Sequence, residues 1–195
     1  WDYPLIELAG KTYGLLGCGN IGIHTAAIAS ALGMHVIAYD MRQRDEALQL
    51  GVEYVSLDEL FARSDVLGLQ MPLFPFNTGI INRENIAKMK DGVILINTAR
   101  GGLIDSKALV EALELGRVGA CALDVVEDEF QMYYYDRRAD VLGNHTLSIL
   151  RDMPNVIVTP HMAFYTDQSV ADMVHNCLLS CKLDNEGKEN PCGVV

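Results

Sequence analysis

The sequence predicts a doubly wound α/β domain, a parallel β-sheet covered by helices on both faces. Three observations carry this. Short runs rich in β-branched and apolar residues alternate with helix-patterned segments along the chain. The segments between the runs have helical length, as parallel strands need crossover connections rather than tight turns. A glycine-rich stretch, "GCGNIG" (17–22), directly follows the first apolar run and opens the first long helical pattern.

Taken in chain order, "TYGLLG" (12–17) reads as the first buried strand and "IGIHTAAIASALG" (21–33) as the helix after it, with Gly33 as its stop. "HVIAYD" (35–40) is the second strand; "RDEALQLG" (44–51) is helical and ends at Gly51. A weaker strand, "VEYVS" (52–56), precedes "LDELFARS" (57–64), where Ser56 and Glu59 have the spacing of a capping box. "DVLGLQ" (65–70) and "GVILINT" (92–98) are strands around "RENIAKMK" (83–90), for which Asn82 is the expected N-cap. Asp105 caps "SKALVEALELG" (106–116), and "GACALDVV" (119–126) and "NVIVTP" (155–160) complete the strands. Residues 127–154 break the rhythm, being too long and too polar and aromatic for a tight loop; an irregular insertion with a short helix near 146–151 is expected. The last stretch is one amphipathic helix, about 167–184, and a polar tail.

Bulk properties narrow the function. A length of 195 residues, half of them apolar, suits one well-buried domain with a small appendage. A net charge of −11 and a pI near 4.7 argue against nucleic-acid or anionic-membrane partners, which call for a Lys/Arg surplus, and favour a small-molecule ligand. No apolar run reaches the roughly 20 residues that span a bilayer, and the first residues lack a signal pattern, so a cytoplasmic protein is expected. The chain opens on Trp1 rather than Met, which implies numbering from within a longer chain. The five cysteines (Cys18, Cys121, Cys177, Cys181, Cys192) form no CxxC pair, and neither a disulfide framework nor a metal site is expected.

Gly17-Cys18-Gly19-Asn20-Ile21-Gly22 is a G-x-G-x-x-G in a strand-to-helix context, the phosphate-binding turn of a Rossmann-type fold. Its glycines permit a tight turn and close backbone approach, so that the helix N-terminus can hold a pyrophosphate. Asp40 ends the second strand 18 residues after Gly22, where a carboxylate accepts hydrogen bonds from a ribose 2′-OH and repels a 2′-phosphate, which favours NAD over NADP. Two rival readings fail on residues. The S-adenosylmethionine-binding loop carries an acidic residue just before its first glycine, where Leu15 and Leu16 stand, and no tyrosine has the Lys four residues on that short-chain dehydrogenases need.

Ligands of an open parallel sheet bind outside the carboxyl ends of the strands, which singles out Arg100, Glu129 and His161. Each has a bland alternative: Arg100 binding a neighbouring carbonyl, Glu129 as one of a solvated acidic cluster with Glu127 and Asp128, His161 as a strand cap. As a set they combine a guanidinium to clamp a carboxylate, an imidazole to exchange a proton, and a carboxylate to orient it.

"GKTYGLLGCGNIG", "NTARGGLID", "ALDVVEDE" and "VIVTPHMAFYT", with 29 residues from Arg100 to Glu129 and 32 from there to His161, resemble the cofactor domain of the D-isomer-specific 2-hydroxyacid dehydrogenases. The "HMAFYT" ending and the tyrosine-bearing segment before it are similar to the D-lactate and D-2-hydroxyisocaproate branch. The resemblance implies NAD as cofactor and small 2-oxo or 2-hydroxy acids as substrates. It implies that Arg100 binds the substrate carboxylate, that His161 exchanges the proton, and that Glu129 rather than Glu127 hydrogen-bonds His161 and favours its charged form. It further places Gly17, Gly19, Asn20, Ile21 and Gly22 on the pyrophosphate, Asp40 on the adenosine ribose and Met71, Pro72 and Asn77 beside the cofactor. Thr98, Ala99, Arg100 and Asp124 fall toward the nicotinamide, and Phe164 beside the substrate side chain. Two positions depart from the common pattern: Gln70 stands where many members have His, and Phe130 where other branches have Pro. The resemblance also implies a homodimer and a flavodoxin-like substrate domain that is absent from this chain. Residues 1–165 are then the NAD-binding domain, and 166–195 a helix and tail returning to the substrate domain. The alternative function is a non-catalytic NAD-sensing module that controls assembly, as in corepressor-type relatives.

Overall fold

The structure, a computed structural model, describes residues 6–129 and 144–190. The chain divides into two units, 1–160 and 161–195, a division five residues before the 165 expected from sequence.

The first unit is a seven-stranded sheet in the order β3-β2-β1-β4-β5-β6-β7, every adjacent pair parallel. Its strands are β1 (Thr12–Leu16), β2 (His35–Tyr39), β3 (Glu53–Tyr54), β4 (Val66–Leu69), β5 (Val93–Asn97), β6 (Val118–Leu123) and β7 (Val156–Val158). Among the described residues six α-helices connect them: α1 (Asn20–Ala31), α2 (Asp45–Gln49), α3 (Leu57–Arg63), α4 (Arg83–Ala87), α5 (Ser106–Glu114) and α6 (His145–Asp152). The chain winds outward from β1 to β3, then crosses back to β4 beside β1, so the order reverses between these two strands.

Alternation along the strands builds two cores. Val36 and Ala38 point to one, with Leu15, Ala26 and Ala29 of α1, and Ala47 of α2. Ile37 points to the other, with Leu16, Phe61 of α3, Ile86 of α4, Leu109 of α5, and Leu147 and Leu150 of α6. Neighbouring residues of one strand thus enter opposite layers, which is why these strands read as unbroken apolar runs rather than as alternating ones.

The local punctuation matches the sequence expectation. Ser56 and Glu59 form the reciprocal capping box, Asn82 accepts from the Asn85 N–H, and Asp105 accepts from Lys107 and Ala108. Gly33, Gly51 and Gly116 adopt positive φ just past α1, α2 and α5, where they close the helices with left-handed turns. α4 is shorter than the 83–90 expected, because Lys88 and Met89 already turn back with three-residue bonds to Asn85 and Ile86. α6 lies where a short helix was expected in the 127–154 insertion; Phe130 and the tyrosines of that insertion fall outside the described residues, as does Cys192.

In the second unit the Thr166 hydroxyl accepts from the Ser169 N–H and starts α7 (Asp167–Asn185). Val170, Met173, Val174, Cys177, Leu178 and Cys181 recur at helical spacing along one side of α7, and Met173, Val174 and Leu178 are exposed. Among the described residues no helix is long and apolar enough to cross a membrane, and no group of three metal-binding side chains occurs.

Two measurements check the packing. Phe61 is fully buried, and Phe61→Ala should destabilise the fold by about 3–5 kcal/mol in denaturant titration. Cys177 and Cys181 are exposed, whereas burial pushes the Cys121 thiol up to about 12 and keeps it in the unreactive form. Alkylation of the native protein mapped by mass spectrometry should therefore modify Cys177 and Cys181 well before Cys121.

Candidate functional site

The carboxyl ends of β1 and β4 meet at the reversal of strand order, where an open parallel sheet leaves a crevice. Gly17 leaves β1 with φ +98°, and its N–H donates to Tyr39 O at 2.9 Å. A Cβ there would stand 2.6 Å from Gln70 O and 3.0 Å from Met71 Cβ, so only glycine fits between the two strand ends. A Cβ on Gly22 would stand 2.8 Å from Gly17 O, which lets α1 begin directly on the turn. At Gly19, by contrast, a Cβ would meet no heavy atom within 4 Å, so this face of the loop is open to a ligand. Gly19 is the N-cap of α1 and supplies no side chain to its first N–H groups. An uncapped twelve-residue helix that starts at an open glycine suits a pyrophosphate, which accepts from those N–H groups and faces the positive end of the helix dipole. These residues fit a dinucleotide.

Asp40, half-buried at the end of β2, is tied to the same loop. Its Oδ2 accepts from Cys18 N–H at 2.7 Å and its Oδ1 from Arg42 N–H at 2.9 Å. A cavity of about 510 Å³ opens beside it, bounded by Cys18, Gly19, Asp40 and residues 42–46. Arg44 reaches from this rim to Asn20 Oδ1 at 2.6 Å, and its own N–H donates to Tyr54 Oη. Burial holds the Cys18 thiol above its usual range, so it serves as packing rather than as a nucleophile.

After β4, the Gln70 N–H donates to Leu16 O, and its side-chain amide donates to Thr25 Oγ1 of α1 at 2.7 Å, which binds the loop to the helix. Met71 and Pro72 follow at the crevice. Asn77, expected beside the cofactor, spends its amide within its own loop: Nδ2 donates to Pro72 O and Met71 Sδ, and Oδ1 accepts from Phe74 N–H. It shapes the loop that carries Met71 and Pro72.

At the end of β5 the fully buried Asn97 donates to Arg100 O and accepts from Ala99 N–H, setting the turn of Thr98, Ala99 and Arg100. Arg100 is exposed, and one guanidinium nitrogen donates to the neighbouring carbonyl, Ala99 O, at 2.7 Å. The group has five donors, so this bond leaves others for a carboxylate. A Cβ on Gly101 would stand 2.1 Å from Val126 C, so the Arg100 turn lies flush against the end of β6.

Beyond β6 the acidic cluster separates into distinct roles. Glu127 is exposed and accepts from Ser106 N–H at the start of α5. Asp128 takes φ +58°, and Glu129 turns inward, 4% exposed, accepting from Val126 N–H at 3.1 Å. A carboxylate that deep is costly unless paired or hydrogen-bonded, and of the three acidic residues only Glu129 is taken into the interior. Asp124 is buried and accepts from Thr159 Oγ1 at 2.5 Å, joining the ends of β6 and β7.

The first unit therefore brings the glycine loop, Asp40, Met71, Pro72, Thr98, Ala99, Arg100, Asp124 and Glu129 to one edge of the sheet. His161 and Phe164 belong to the second unit, where His161 has φ +50° and its ring meets that of Phe164 edge-on at 6.1 Å between centroids. The sequence reading missed Asn97, Thr159 and Arg44. The signal for Asn97 was an amide at the end of an apolar strand immediately before the singled-out arginine.

Residues 1–163 match the family described as D-isomer specific 2-hydroxyacid dehydrogenase, NAD binding domain. A hydroxypyruvate reductase of Blautia hydrogenotrophica is 47% identical over 169 residues, 87% of this chain and 48% of the relative. An aromatic 2-oxoacid reductase of Clostridium sporogenes is 41% identical over 176 residues, 90% of this chain and 53% of the relative. A D-lactate dehydrogenase with NAD+ from Lactobacillus jensenii superimposes with a TM-score of 0.91 at 35% identity, covering 97% of this chain and 57% of that one. The chain spans about half the length of these relatives. An uncapped glycine turn at the strand reversal, a carboxylate closing β2 and this match over nearly the whole chain agree: the chain belongs to the D-isomer-specific 2-hydroxyacid dehydrogenases, as their NAD-binding domain.

Proposed function

We propose that this domain serves an enzyme that interconverts D-2-hydroxy acids and 2-oxo acids, of D-lactate dehydrogenase type. The observation that carries the reading is the buried Glu129 carboxylate, held at the same sheet edge as the open glycine loop and the Arg100 turn. Bound NAD supplies or accepts the hydride. The chain's own residues do the rest. The first N–H groups of α1, at Asn20 and Ile21, take the pyrophosphate between Gly17, Gly19 and Gly22. Asp40 takes the adenosine ribose, Met71 and Pro72 flank the dinucleotide on a loop shaped by Asn77, and Thr98, Ala99 and Asp124 line the nicotinamide end. Arg100 grips the substrate carboxylate with the donors it does not spend on Ala99 O. His161 delivers a proton to the oxo oxygen on reduction and removes it from the hydroxyl on oxidation; Glu129 orients that imidazole, and Phe164 touches the substrate side chain.

The reading extends to architecture. Residues 166–195 return to a flavodoxin-like substrate domain, whose closure over the crevice excludes water. The partner is a second copy of the chain, and the exposed apolar residues Ile21 and Ile28 of α1 and Leu32 just past its end support association through the cofactor domain. The protein works in the cytoplasm on small acids, without nucleic acid or membrane, in keeping with a net charge of −11. The named relatives are reductases and dehydrogenases, and they lend the assembly-module alternative no support.

Two experiments test the site. Calorimetric titration of the 195-residue chain with NADH should show binding that Asp40→Ala weakens at least about tenfold, since the change removes the ribose acceptor and two backbone bonds together. Unchanged affinity would contradict the placement. In the full-length enzyme, His161→Ala should lower the rate of 2-oxo acid reduction about 10²–10⁴-fold while NADH still binds. Normal turnover would remove His161 from the chemistry.

A further inference from the structure

We propose that Thr159 is a positioning residue for the proton donor: its hydroxyl, held by the buried Asp124, fixes the end of β7 from which His161 leaves the sheet. This rests on the reading of His161 as the group that exchanges the proton and of Arg100 as the substrate clamp.

Strand β7 carries the chain to His161 with little backbone support. It is three residues long, lies at the margin of the sheet and pairs with β6 alone, from Cys121 opposite Val156 to Leu123 opposite Val158. Past that register one backbone bond continues the ladder, from the Thr159 N–H to Leu123 O at 2.9 Å, and Pro160 has no N–H to extend it. A short strand held on one side opens readily at its end. His161 nevertheless keeps φ +50°, a left-handed conformation that a non-glycine residue holds only where its surroundings fix it.

The Thr159 side chain supplies the missing hold. Its Oγ1 donates to Asp124 Oδ1 at 2.5 Å, the short distance of a hydroxyl bonded to a carboxylate. Asp124 is buried, and its backbone N–H donates to Asn97 O at 2.9 Å. Asn97, fully buried, donates to Arg100 O and accepts from Ala99 N–H. A hydrogen-bonded row thus crosses three neighbouring strand ends, from the Arg100 turn after β5, through Asp124 after β6, to Thr159 after β7. Arg100 and His161 must meet one substrate, the first at its carboxylate and the second at its oxo oxygen, and they follow the two ends of this row. Thr159→Val keeps the shape and the backbone ladder, removes the last link of the row and takes a donor from the buried Asp124. The glycine turn after β1 and Asp40 after β2 lie outside the row.

Thr159→Val, Thr159→Ala and Thr159→Ser in the full-length enzyme, beside His161→Ala, test this, with each rate counted per NADH-binding site so that unfolded protein does not enter. Thr159→Val should lower kcat for 2-oxo acid reduction about 10–10²-fold, less than His161→Ala, and leave NADH affinity within about threefold. Its solvent deuterium isotope effect on kcat should rise, because a displaced donor slows proton delivery; a purely structural loss would leave that effect where it was. Thr159→Ala should behave like Thr159→Val, and Thr159→Ser, which keeps the hydroxyl, should recover most of the rate. Unchanged kcat in Thr159→Val, a slower rate without a larger isotope effect, or Thr159→Ser as slow as Thr159→Val would overturn the inference, while a slow His161→Ala keeps His161 as the proton donor. Loss of NADH binding in both Thr159→Val and Thr159→Ala would make the hydroxyl a requirement of folding and overturn the inference too. Normal turnover in His161→Ala would remove the underlying reading and this inference with it.

Discussion

The contact on which the rest of the structure depends is the near-collision of two strand ends. β1 leaves the sheet through Gly17 directly against the Gln70 carbonyl at the end of β4, with no room for even one methyl group. That closeness belongs to the place where strand order reverses, because only there do the chains leaving neighbouring strands diverge to opposite faces of the sheet. The turn at Gly17 lets α1 start at once, and the early start points the N-terminus of α1 at the crevice. The Gln70 amide then bonds Thr25 within α1, so strand, turn and helix move as one body. A ligand meeting this surface meets a preformed one, which lowers the entropy lost on binding.

A second pattern concerns buried polar groups. Asn77, Asn97, Asp124 and Glu129 are almost the only polar side chains inside the described residues, and all sit at the carboxyl edge of the sheet. Each has a hydrogen-bond partner in the backbone or in a neighbouring strand end. Two are amides, which brace loops without adding charge beside a ligand. This uneven distribution has a physical reading: a buried polar group is costly without a partner, and among the described residues at this edge only the buried Gln70 Oε1 is left without a hydrogen bond, while the other amides and carboxylates brace the loops that end the strands.

Much of this was legible in the sequence, because much of it is local. The capping box at Ser56 and Glu59, the Asn82 and Asp105 caps and the closing glycines depend on residues three or four apart, and they stand where expected. The roles of Asn77 and Asn97 were less legible: an amide at a strand end reads equally as ligand contact or as brace, and only the positions of the Pro72 and Arg100 carbonyls decide. The resemblance had already set Glu129 apart from Glu127, and the positive φ of Asp128 between them accompanies the physical difference, one carboxylate exposed and the next buried. Arg44 escaped notice because its partner, Asn20, lies 24 residues away.

The two margins of the sheet bear on how the protein behaves in a crowded solution. An edge strand is a template for pairing with another molecule, and sheets with long, flat edges aggregate. Here one edge is β3, only two residues long, and the other is β7, three residues bracketed by Pro154 and Pro160, which have no N–H to offer an incoming strand. Ile157 is exposed on β7, yet the backbone beside it is too short to seat a neighbour. Among the described residues, each margin of the sheet thus offers an incoming strand only two or three residues of backbone to pair with, which is how a sheet limits edge-to-edge growth.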